Sequence, residues 1–408
     1  MSAMTSQLRL LFSQRHGEVD NRPYDAGLLL IALALLSIGL VIVTSASMPV
    51  ATRLTGNPFY FALRHITYIG LALVAAAVVL QVPMQMWKKW NFYLLAAAIV
   101  LLIVVLGIGR NVNGSTRWIV IGPITIQVAE IAKLCFFLYL SGYLVRRYQQ
   151  ITKTRGLGFW IPLFVFGVMA FFLLMQPDLG TVIVMFATTV GLLFLAGAPL
   201  LHFIALLLSG VSVIGLAIAL EPYRMRRVTA FMDPWADPFG SGYQLTQSLM
   251  AYGRGDWFGQ GLGNSLQKLE YLPEAHTDFI MAILAEELGY AGVLAVLILM
   301  LILVVKCLRL GNRALAQERA FEGFFAYAVS IWFSLQTAVN IGASAGILPT
   351  KGLTLPLVSY GGSSLILMAV TVAIIVRIDF ELRMQNLQAL PVRKRRLTDA
   401  KTQEGNNG

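Results

Sequence analysis

The sequence predicts an all-α integral membrane protein of about ten transmembrane helices, with both termini in the cytoplasm and a long outer loop between helices 7 and 8. Only 12% of the 408 residues are charged, about half of the roughly 25% that soluble domains carry. Hydrophobic residues make up 57% of the chain, and they fall in runs close to the ~20 residues that cross a bilayer. This composition excludes a soluble enzyme, a nucleic-acid-binding protein and a disordered scaffold.

The membrane domain is predicted over residues 26–378, after a cytoplasmic N-terminal extension (1–25) that does not resemble a signal peptide, and before a basic cytoplasmic tail (379–408). The fourth span is the least regular, because Glu130 and Lys133 lie inside it. The ten predicted spans occupy residues 26–47, 66–82, 91–108, 126–145, 159–175, 179–197, 200–220, 279–305, 321–345 and 361–376.

The distribution of Lys and Arg orients these spans. With the N-terminus inside, the inner segments hold 20 of the 31 Lys and Arg residues and the outer segments hold 10, in agreement with the positive-inside rule. The cluster Arg393-Lys-Arg-Arg396 in the tail favours attachment to anionic lipid headgroups. The longest outer loop, residues 221–276, is predicted to be folded because it carries several aromatic residues: Trp235, Phe239, Tyr243, Trp257 and Tyr271.

Ionisable side chains gather at the outer ends of the predicted spans, and the inner halves of the spans have almost none. A charge inside a bilayer is costly, so each such group is a candidate for function. An ion pathway would need polar groups through the midplane, whereas this pattern predicts a polar cavity that is open to the outer face. The residues are Glu130, Lys133, Asp178, Asp278, Glu286, Glu287 and Lys351.

Several of these groups also have a structural interpretation. Glu130 and Lys133 are i, i+3 neighbours on a helix and could neutralise one another. Asp178 follows a proline and could cap the sixth span, and Asp278 could cap the eighth in the same way. Lys351 could serve only as a headgroup anchor. These alternatives stay open at the level of the sequence.

The residues near Asp278 differ in their expected roles. Glu286 is predicted to share the cavity with Asp278, while Glu287 faces the opposite side of the helix and is predicted to make a contact between helices. His276 and Asp278 have no third ligand nearby, so no metal site is predicted there. Glu270 and Glu274 are expected to tune the position of the loop or a partner contact, or to be solvated loop charges.

Specific motifs occur in the outer loop and in the last outer connection. Together they resemble the SEDS (shape, elongation, division and sporulation) family of membrane glycosyltransferases along the whole chain. The residues around Asp278 are more similar to those of the cell-division branch of the family than to those of the elongation branch. The motifs are Arg226-Arg227, Asp233-Pro-Trp235, Gly240-Ser-Gly-Tyr-Gln244, Gly253-Arg-Gly255, Gly259-Gln-Gly-Leu-Gly-Asn264, Lys268-Leu-Glu-Tyr-Leu-Pro-Glu-Ala-His-Thr-Asp-Phe-Ile280, Glu286-Glu-Leu-Gly289 and Leu348-Pro-Thr-Lys-Gly-Leu-Thr-Leu-Pro-Leu-Val-Ser-Tyr-Gly-Gly-Ser-Ser364.

The resemblance implies a peptidoglycan glycosyltransferase that polymerises lipid II at the outer face of the bacterial inner membrane, at the division septum. It also implies a class B penicillin-binding transpeptidase and other divisome proteins as partners. By motif match Asp278 is the family's essential aspartate, and Glu130, Lys133 and Asp178 occupy its polar-cavity positions. The chain departs from the family in reading Gln127-Val-Ala-Glu130 instead of Gln-Pro-x-Glu.

The family also often has a basic residue just before that motif, where this chain has Thr125. Any role of the missing cation would pass to another residue, for which Arg117 is the candidate.

The implied reaction assigns further roles. A carboxylate that removes the proton of the attacking sugar 4-hydroxyl is suited to Asp278, and the leaving diphosphate needs cations, for which Lys133, Arg117 and Lys351 are candidates. A single displacement that inverts the anomeric carbon is expected. Retention would need a second acidic nucleophile, and the sequence leaves Glu286 or Asp178 open for that role.

Ser359 and Ser363 are predicted to lend hydroxyls to the cavity, and His276 to act in the loop. No cofactor is certain, although a divalent cation, Mg²⁺ or Mn²⁺, could assist the diphosphate.

The competing function is a lipid II flippase or transporter, which the confinement of charge to the outer half disfavours. A purely structural division scaffold, in which Asp278 would be dispensable, is a third hypothesis.

Overall fold

The structure is a computed structural model that describes residues 24–112, 115–122, 124–152, 157–349 and 352–406. It confirms the all-α membrane fold. The helices are α1 (Ala26–Thr55), α2 (Tyr60–Gln81), α3 (Met84–Ile108), α4 (Val128–Thr152), α5 (Leu157–Met175), α6 (Leu179–Leu195), α7 (Leu200–Ala219), α8 (Pro222–Met232), α9 (Tyr243–Gly255), α10 (Ile280–Ala316), α11 (Ala320–Ser344) and α12 (Gly362–Asn406).

Seven of these helices are long and apolar enough to cross a membrane, namely α1 to α5, α10 and α11. The helices α6 and α7 are apolar but shorter. Each predicted apolar run coincides with one helix, α12 included. The number of ten spans and the cytoplasmic position of both termini stay predictions.

The chain divides into two compact units, of which the larger comprises residues 27–378. Of the described residues, the smaller contains 24–26 and 379–406. Within it the Asp25 amide donates a 2.7 Å hydrogen bond to Asp379 Oδ2, which also accepts from Arg383 Nε at 2.7 Å. Of the predicted extension, residues 1–23 lie outside the described residues.

A small antiparallel sheet, which the sequence analysis did not predict, connects α3 to α4. Its order is β1 (Arg110–Val112), β2 (Ser115–Ile121), β3 (Ile124–Gln127). Between β2 and β3, Ile119 pairs with Ile126 and Val120 pairs with Thr125, and the β-branched side chains of these four residues favour an extended backbone. The sheet leads directly into the helix that carries Glu130 and Lys133.

The helix α10 is broken at Gly289, where the backbone has φ 70° and ψ −172°. The outer loop inserts beside the break. Gln260 and Gly261 donate their amides to the carbonyls of Glu286 and Glu287, at 2.9 and 3.0 Å, while Tyr290 N–H donates to Asp256 O at 2.9 Å. These bonds replace the helical bonds that the break removes, as a backbone at membrane depth requires. The loop is thereby tied to the helix that follows Asp278.

Gly289 allows this arrangement, and we expect Gly289→Ala to destabilise the protein. A Cβ at this position would lie 2.4 Å from Gly259 N and 2.5 Å from Trp257 O, both main-chain atoms, and the positive φ alone costs a non-glycine residue about 1–3 kcal/mol. The melting temperature of the purified protein measures the effect. Gly107→Ala in α3 is the control, because its Cβ meets nothing within 4 Å. An equal melting temperature for the two variants would contradict the assigned role.

Candidate active site

Lys133 and Glu130 form a buried ion pair one turn into α4. Lys133 Nζ lies 2.9 Å from Glu130 Oε1, and the two side chains are 0% and 4% exposed. Both therefore lie in a dry environment, where an ion pair is retained only if further hydrogen bonds satisfy it. Glu130 Oε2 has no partner among the described residues. The predicted i, i+3 neutralisation is thus present, and one carboxylate oxygen is left over.

The helix α11 supplies the other contacts of Lys133. Gln336 Oε1 accepts hydrogen bonds from Lys133 Nζ at 3.1 Å and from Trp332 Nε1 at 2.7 Å. The Trp332 ring centroid lies 5.1 Å from the ammonium, close enough for a cation–π attraction. The cation is consequently fixed in position by a carboxylate, an amide and an aromatic face.

Asp278 lies two residues before α10 and is half-buried. Asn340 on α11 fixes its main chain, because Asn340 Nδ2 donates to Asp278 O at 3.1 Å. The carboxylate points to the connection between α11 and α12, since a Cβ at Gly352 would lie 3.3 Å from Asp278 Oδ2. Asp278 does not cap α10, whose N-cap position is Phe279.

Asp178 caps α6, the structural role that the sequence left open. Its Oδ1 accepts from Thr181 N at 3.2 Å and its Oδ2 from Thr181 Oγ1 at 2.9 Å. Arg117 of β2 reaches it at 4.0 Å and donates to the carbonyls of Gln176 and Pro177 at 2.8 and 2.6 Å. Arg117 therefore secures the turn between α5 and α6 besides facing Asp178.

Residues 352–364, called here the 352–364 segment, contact both α6 and the end of β3. The Leu353 side chain packs on Gly180 of α6, where a Cβ would lie 3.3 Å from Leu353 Cγ. Ser359 Oγ accepts from Leu355 N at 2.9 Å, and Ser363 Oγ accepts from Gln127 N at 2.9 Å. The two serine hydroxyls predicted for the cavity thus hold main chain in place. Lys351 lies outside the described residues.

The structure corrects the role that was predicted for Glu286. Both of its oxygens are occupied by the outer loop and it is fully buried. Oε1 accepts from Arg254 Nη1 at 2.6 Å and from Leu266 N at 2.9 Å, and Oε2 accepts from Ser265 Oγ at 2.5 Å and Gln267 N at 3.2 Å. A carboxylate with four donors is engaged in holding the loop, not in sharing a cavity with Asp278.

Glu287 makes the predicted contact between elements. Its Oε1 accepts from Lys268 Nζ and from Ser45 Oγ of α1, both at 2.7 Å, and Lys268 Nζ also donates to Ser45 at 2.8 Å. This buried triad joins α1, the outer loop and α10. Two adjacent glutamates thus anchor two points of the same loop.

The other predicted loop residues, His276, Glu270 and Glu274, make separate contacts. The His276 ring stacks between Phe61 and Tyr360, with centroids 5.3 and 5.5 Å away, and burial lowers the pKa of His276 below its usual value. Glu270 pairs with Arg53 at 2.5 Å. Glu274 accepts from Thr277 Oγ1 at 2.7 Å. These contacts agree with a role in loop position.

A matched pair of variants tests how the loop is held. We expect Glu286→Gln to lower stability by about 1–3 kcal/mol, because glutamine has a single acceptor oxygen for the donors that the carboxylate now serves. The variant should also expose the loop to trypsin at Arg254 and Lys268. Glu270→Gln breaks an exposed pair, with side chains 61% and 36% exposed, and should cost at most about 1 kcal/mol. Trypsin cleavage rates on the folded protein compare the two. Equal rates would show that Glu286 does not hold the loop.

Sequence reasoning missed Trp332, Gln336 and Asn340, which surround the predicted residues. Their signal was available, because two amides four residues apart in the C-terminal half of an apolar helix are unusual and face one side. Among the described residues there is no group of three or more His, Cys, Asp or Glu side chains that could hold a metal ion.

Two relatives show what the chain is similar to in sequence. The chain is 67% identical to a protein of Alteromonas naphthalenivorans named probable peptidoglycan glycosyltransferase FtsW. The alignment spans 390 residues and covers 95% of this chain and 76% of that relative. It is 52% identical over 366 residues to the protein of the same name from Escherichia coli O157:H7, covering 90% of this chain and 88% of the relative.

Solved structures show the same fold. A chain of a peptidoglycan synthase complex, solved to explain the coordination of polymerization and crosslinking, has a TM-score of 0.72 at 28% identity, over 87% of this chain and 97% of that one. The rod shape determining protein RodA of Thermus thermophilus has a TM-score of 0.65 at 27% identity, over 87% and 96%. Residues 26–384 match the profile of the cell cycle proteins named for FtsW, RodA and SpoVE, and the chain therefore belongs to this family of multi-pass membrane proteins, as the resemblance predicted.

Proposed function

We propose that the chain is a peptidoglycan glycosyltransferase that polymerises lipid II into glycan strands during septal wall synthesis, at the outer face of the bacterial inner membrane. The observation that carries the proposal is that an acid and a buried cation, near the first residues of α10 and α4, are held by the same helix, α11. Asp278 and Lys133 are both bound by side chains of that helix. The names of the relatives, which are peptidoglycan glycosyltransferases, support the same reaction.

The proposed mechanism is a single displacement. The 4-hydroxyl oxygen of one disaccharide forms a bond to the anomeric carbon of another, and the bond from that carbon to the lipid diphosphate breaks. Asp278 takes the hydroxyl proton, and undecaprenyl diphosphate leaves with the bonding electrons. The lipid tail stays in the bilayer, so the reacting head lies at the depth where Asp278 is expected.

The leaving diphosphate carries the developing negative charge, which fixed cations stabilise. Lys133 is the first candidate, because it is held rigidly and its hydration has been replaced by protein groups. Arg117 is a second candidate beside Asp178. A divalent cation, Mg²⁺ or Mn²⁺, is proposed only as an aid to the diphosphate, and polymerisation in the presence of EDTA measures that dependence.

A class B penicillin-binding transpeptidase is the proposed partner, because the similar chain of known structure comes from a synthase complex in which polymerization and crosslinking are coordinated. The test is polymerisation of labelled lipid II by the purified full chain with its cognate transpeptidase. Glycan ladders are the expected result. Absence of ladders from a folded, assembled complex would overturn the proposal, and transport of labelled lipid II across sealed vesicles would then test the flippase alternative.

A further inference from the structure

Two amide side chains stand one turn apart on the outer half of α11. Gln336 and Asn340 are 0% and 1% exposed, in a stretch that is otherwise mostly apolar. A buried amide is costly unless its donors are bonded, so the partners of these two side chains indicate why they are there. Both amides bind the 352–364 segment, and each also binds one of the two groups to which chemistry has been assigned.

Asn340 joins Asp278 to the 352–364 segment. Its Nδ2 donates to two main-chain oxygens, Asp278 O at 3.1 Å and Leu353 O at 2.6 Å, which uses both of its protons. Leu353 follows Gly352, the residue whose missing side chain leaves room for the Asp278 carboxylate. The Asn340 amide therefore fixes both the backbone of Asp278 and the main chain beside Gly352, next to which the Asp278 carboxylate lies.

Gln336 joins Lys133 to the next residue of that segment. Its Nε2 donates to Thr354 O at 2.8 Å, and its Oε1 accepts from Lys133 Nζ at 3.1 Å. Thr354 follows Leu353 directly, so the two amides bind consecutive carbonyls of one extended stretch. Because an α-helix rises about 1.5 Å per residue, the i, i+4 spacing on α11 sets a fixed offset between the two bonds.

We propose that Gln336 and Asn340 are a pair of positioning residues that sets the separation of the base Asp278 from the cation Lys133. This inference rests on the proposed glycosyltransferase function. One rigid helix holds both reacting groups and the segment between them, so the acid and the cation keep a constant spacing during each displacement. A shift of about 1 Å in such a constellation costs as much as about 10²-fold in rate.

The two residues should have different kinetic signatures. Asp278 acts on a proton that moves only in the transition state, so Asn340→Leu is expected to lower kcat at least tenfold and to leave KM within threefold. Lys133 contacts a diphosphate that is charged before and during the reaction, so Gln336→Leu is expected to raise KM as well. If the two residues only stabilised the fold, the Asn340 and Gln336 variants would not differ in whether kcat alone or KM as well is changed.

The experiment measures kcat and KM for labelled lipid II with the full chain in complex with its cognate transpeptidase. Ser330→Ala is the matched control: Ser330 is a buried polar residue of the same helix, about 9 Å along the axis before Gln336, and its hydroxyl donates to the carbonyls of Ala326 at 2.9 Å and Val304 at 3.3 Å. Asn340→Ser, which can keep one of the two bonds, replaces Asn340→Leu if the latter does not fold, and should fall between wild type and Leu.

Each outcome bears on the inference. A selective loss of kcat in the Asn340 variants, at melting temperatures near that of Ser330→Ala, supports it. An unchanged kcat in well-folded variants, or losses of kcat that only follow the folded fraction, would overturn it while wild-type ladders keep the proposed function. A wild-type complex without polymerase activity would instead overturn the function itself.

Discussion

Replacing Asp278 by Asn is expected to reduce lipid II polymerisation by about 10²–10⁴-fold, the usual contribution of a general base. Asparagine has nearly the same shape, and the bond that Asn340 makes goes to the main chain of residue 278, so the fold should be kept. The loss should appear in kcat more than in KM. The measurement is the rate of glycan formation by the purified complex, with the melting temperature as a check on folding.

The control is Asp237→Asn in the same outer loop. Asp237 is exposed, and its Oδ2 accepts from Ser241 N at 2.7 Å, a hydrogen bond that asparagine can also accept through its oxygen. The bonds from Ser241 lower the pKa of the Asp237 carboxyl, yet nothing places it near the reacting groups. Wild-type activity is expected. Polymerisation by Asp278→Asn at the rate of this control would remove Asp278 from the chemistry, while the chain would remain a polymerase whose base is another group.

The fold class could be predicted because it depends on long apolar runs with charged residues at their ends. Such runs are visible among neighbouring residues of the sequence. The same local pattern located Glu130, Lys133, Asp178 and Asp278 near the first residues of three helices, and their position at the outer face stays a prediction. The pairing of Glu130 with Lys133 followed from their spacing on one helix. Such contacts, three or four residues apart, need no knowledge of tertiary structure.

What could not be predicted depends on contacts between distant parts of the chain. Glu286 lies only eight positions from Asp278, yet its partners are loop atoms 19 to 32 residues away. The break at Gly289 likewise depends on the loop that fills it. The small sheet, which lies between two predicted spans, was missed because its longest strand, Ser115–Ile121, has only 7 residues, and so short a run cannot be assigned by periodicity alone.

Lys133→Met is expected to abolish polymerisation and also to destabilise the protein by about 3–5 kcal/mol, the cost of leaving one member of a buried pair unpaired. Glu130 is 3% exposed and would remain as a buried carboxylate without its cation, while Gln336 would lose a donor. Melting temperature and polymerase rate would fall together in this variant. The single change therefore cannot distinguish a cation that serves the diphosphate from one that only neutralises Glu130.

The double variant Glu130→Gln, Lys133→Met makes that distinction. Removing both charges takes away the unpaired carboxylate, so much of the lost stability should return. If Lys133 stabilises the leaving diphosphate, the double variant stays inactive although it folds, because the charge that develops on the phosphate still has no partner. If the pair is only structural, polymerisation recovers with the melting temperature. We expect stability to return without activity, since Glu130, Gln336 and Trp332 hold the cation near the N-terminal end of α4, the end that is predicted to face the diphosphate.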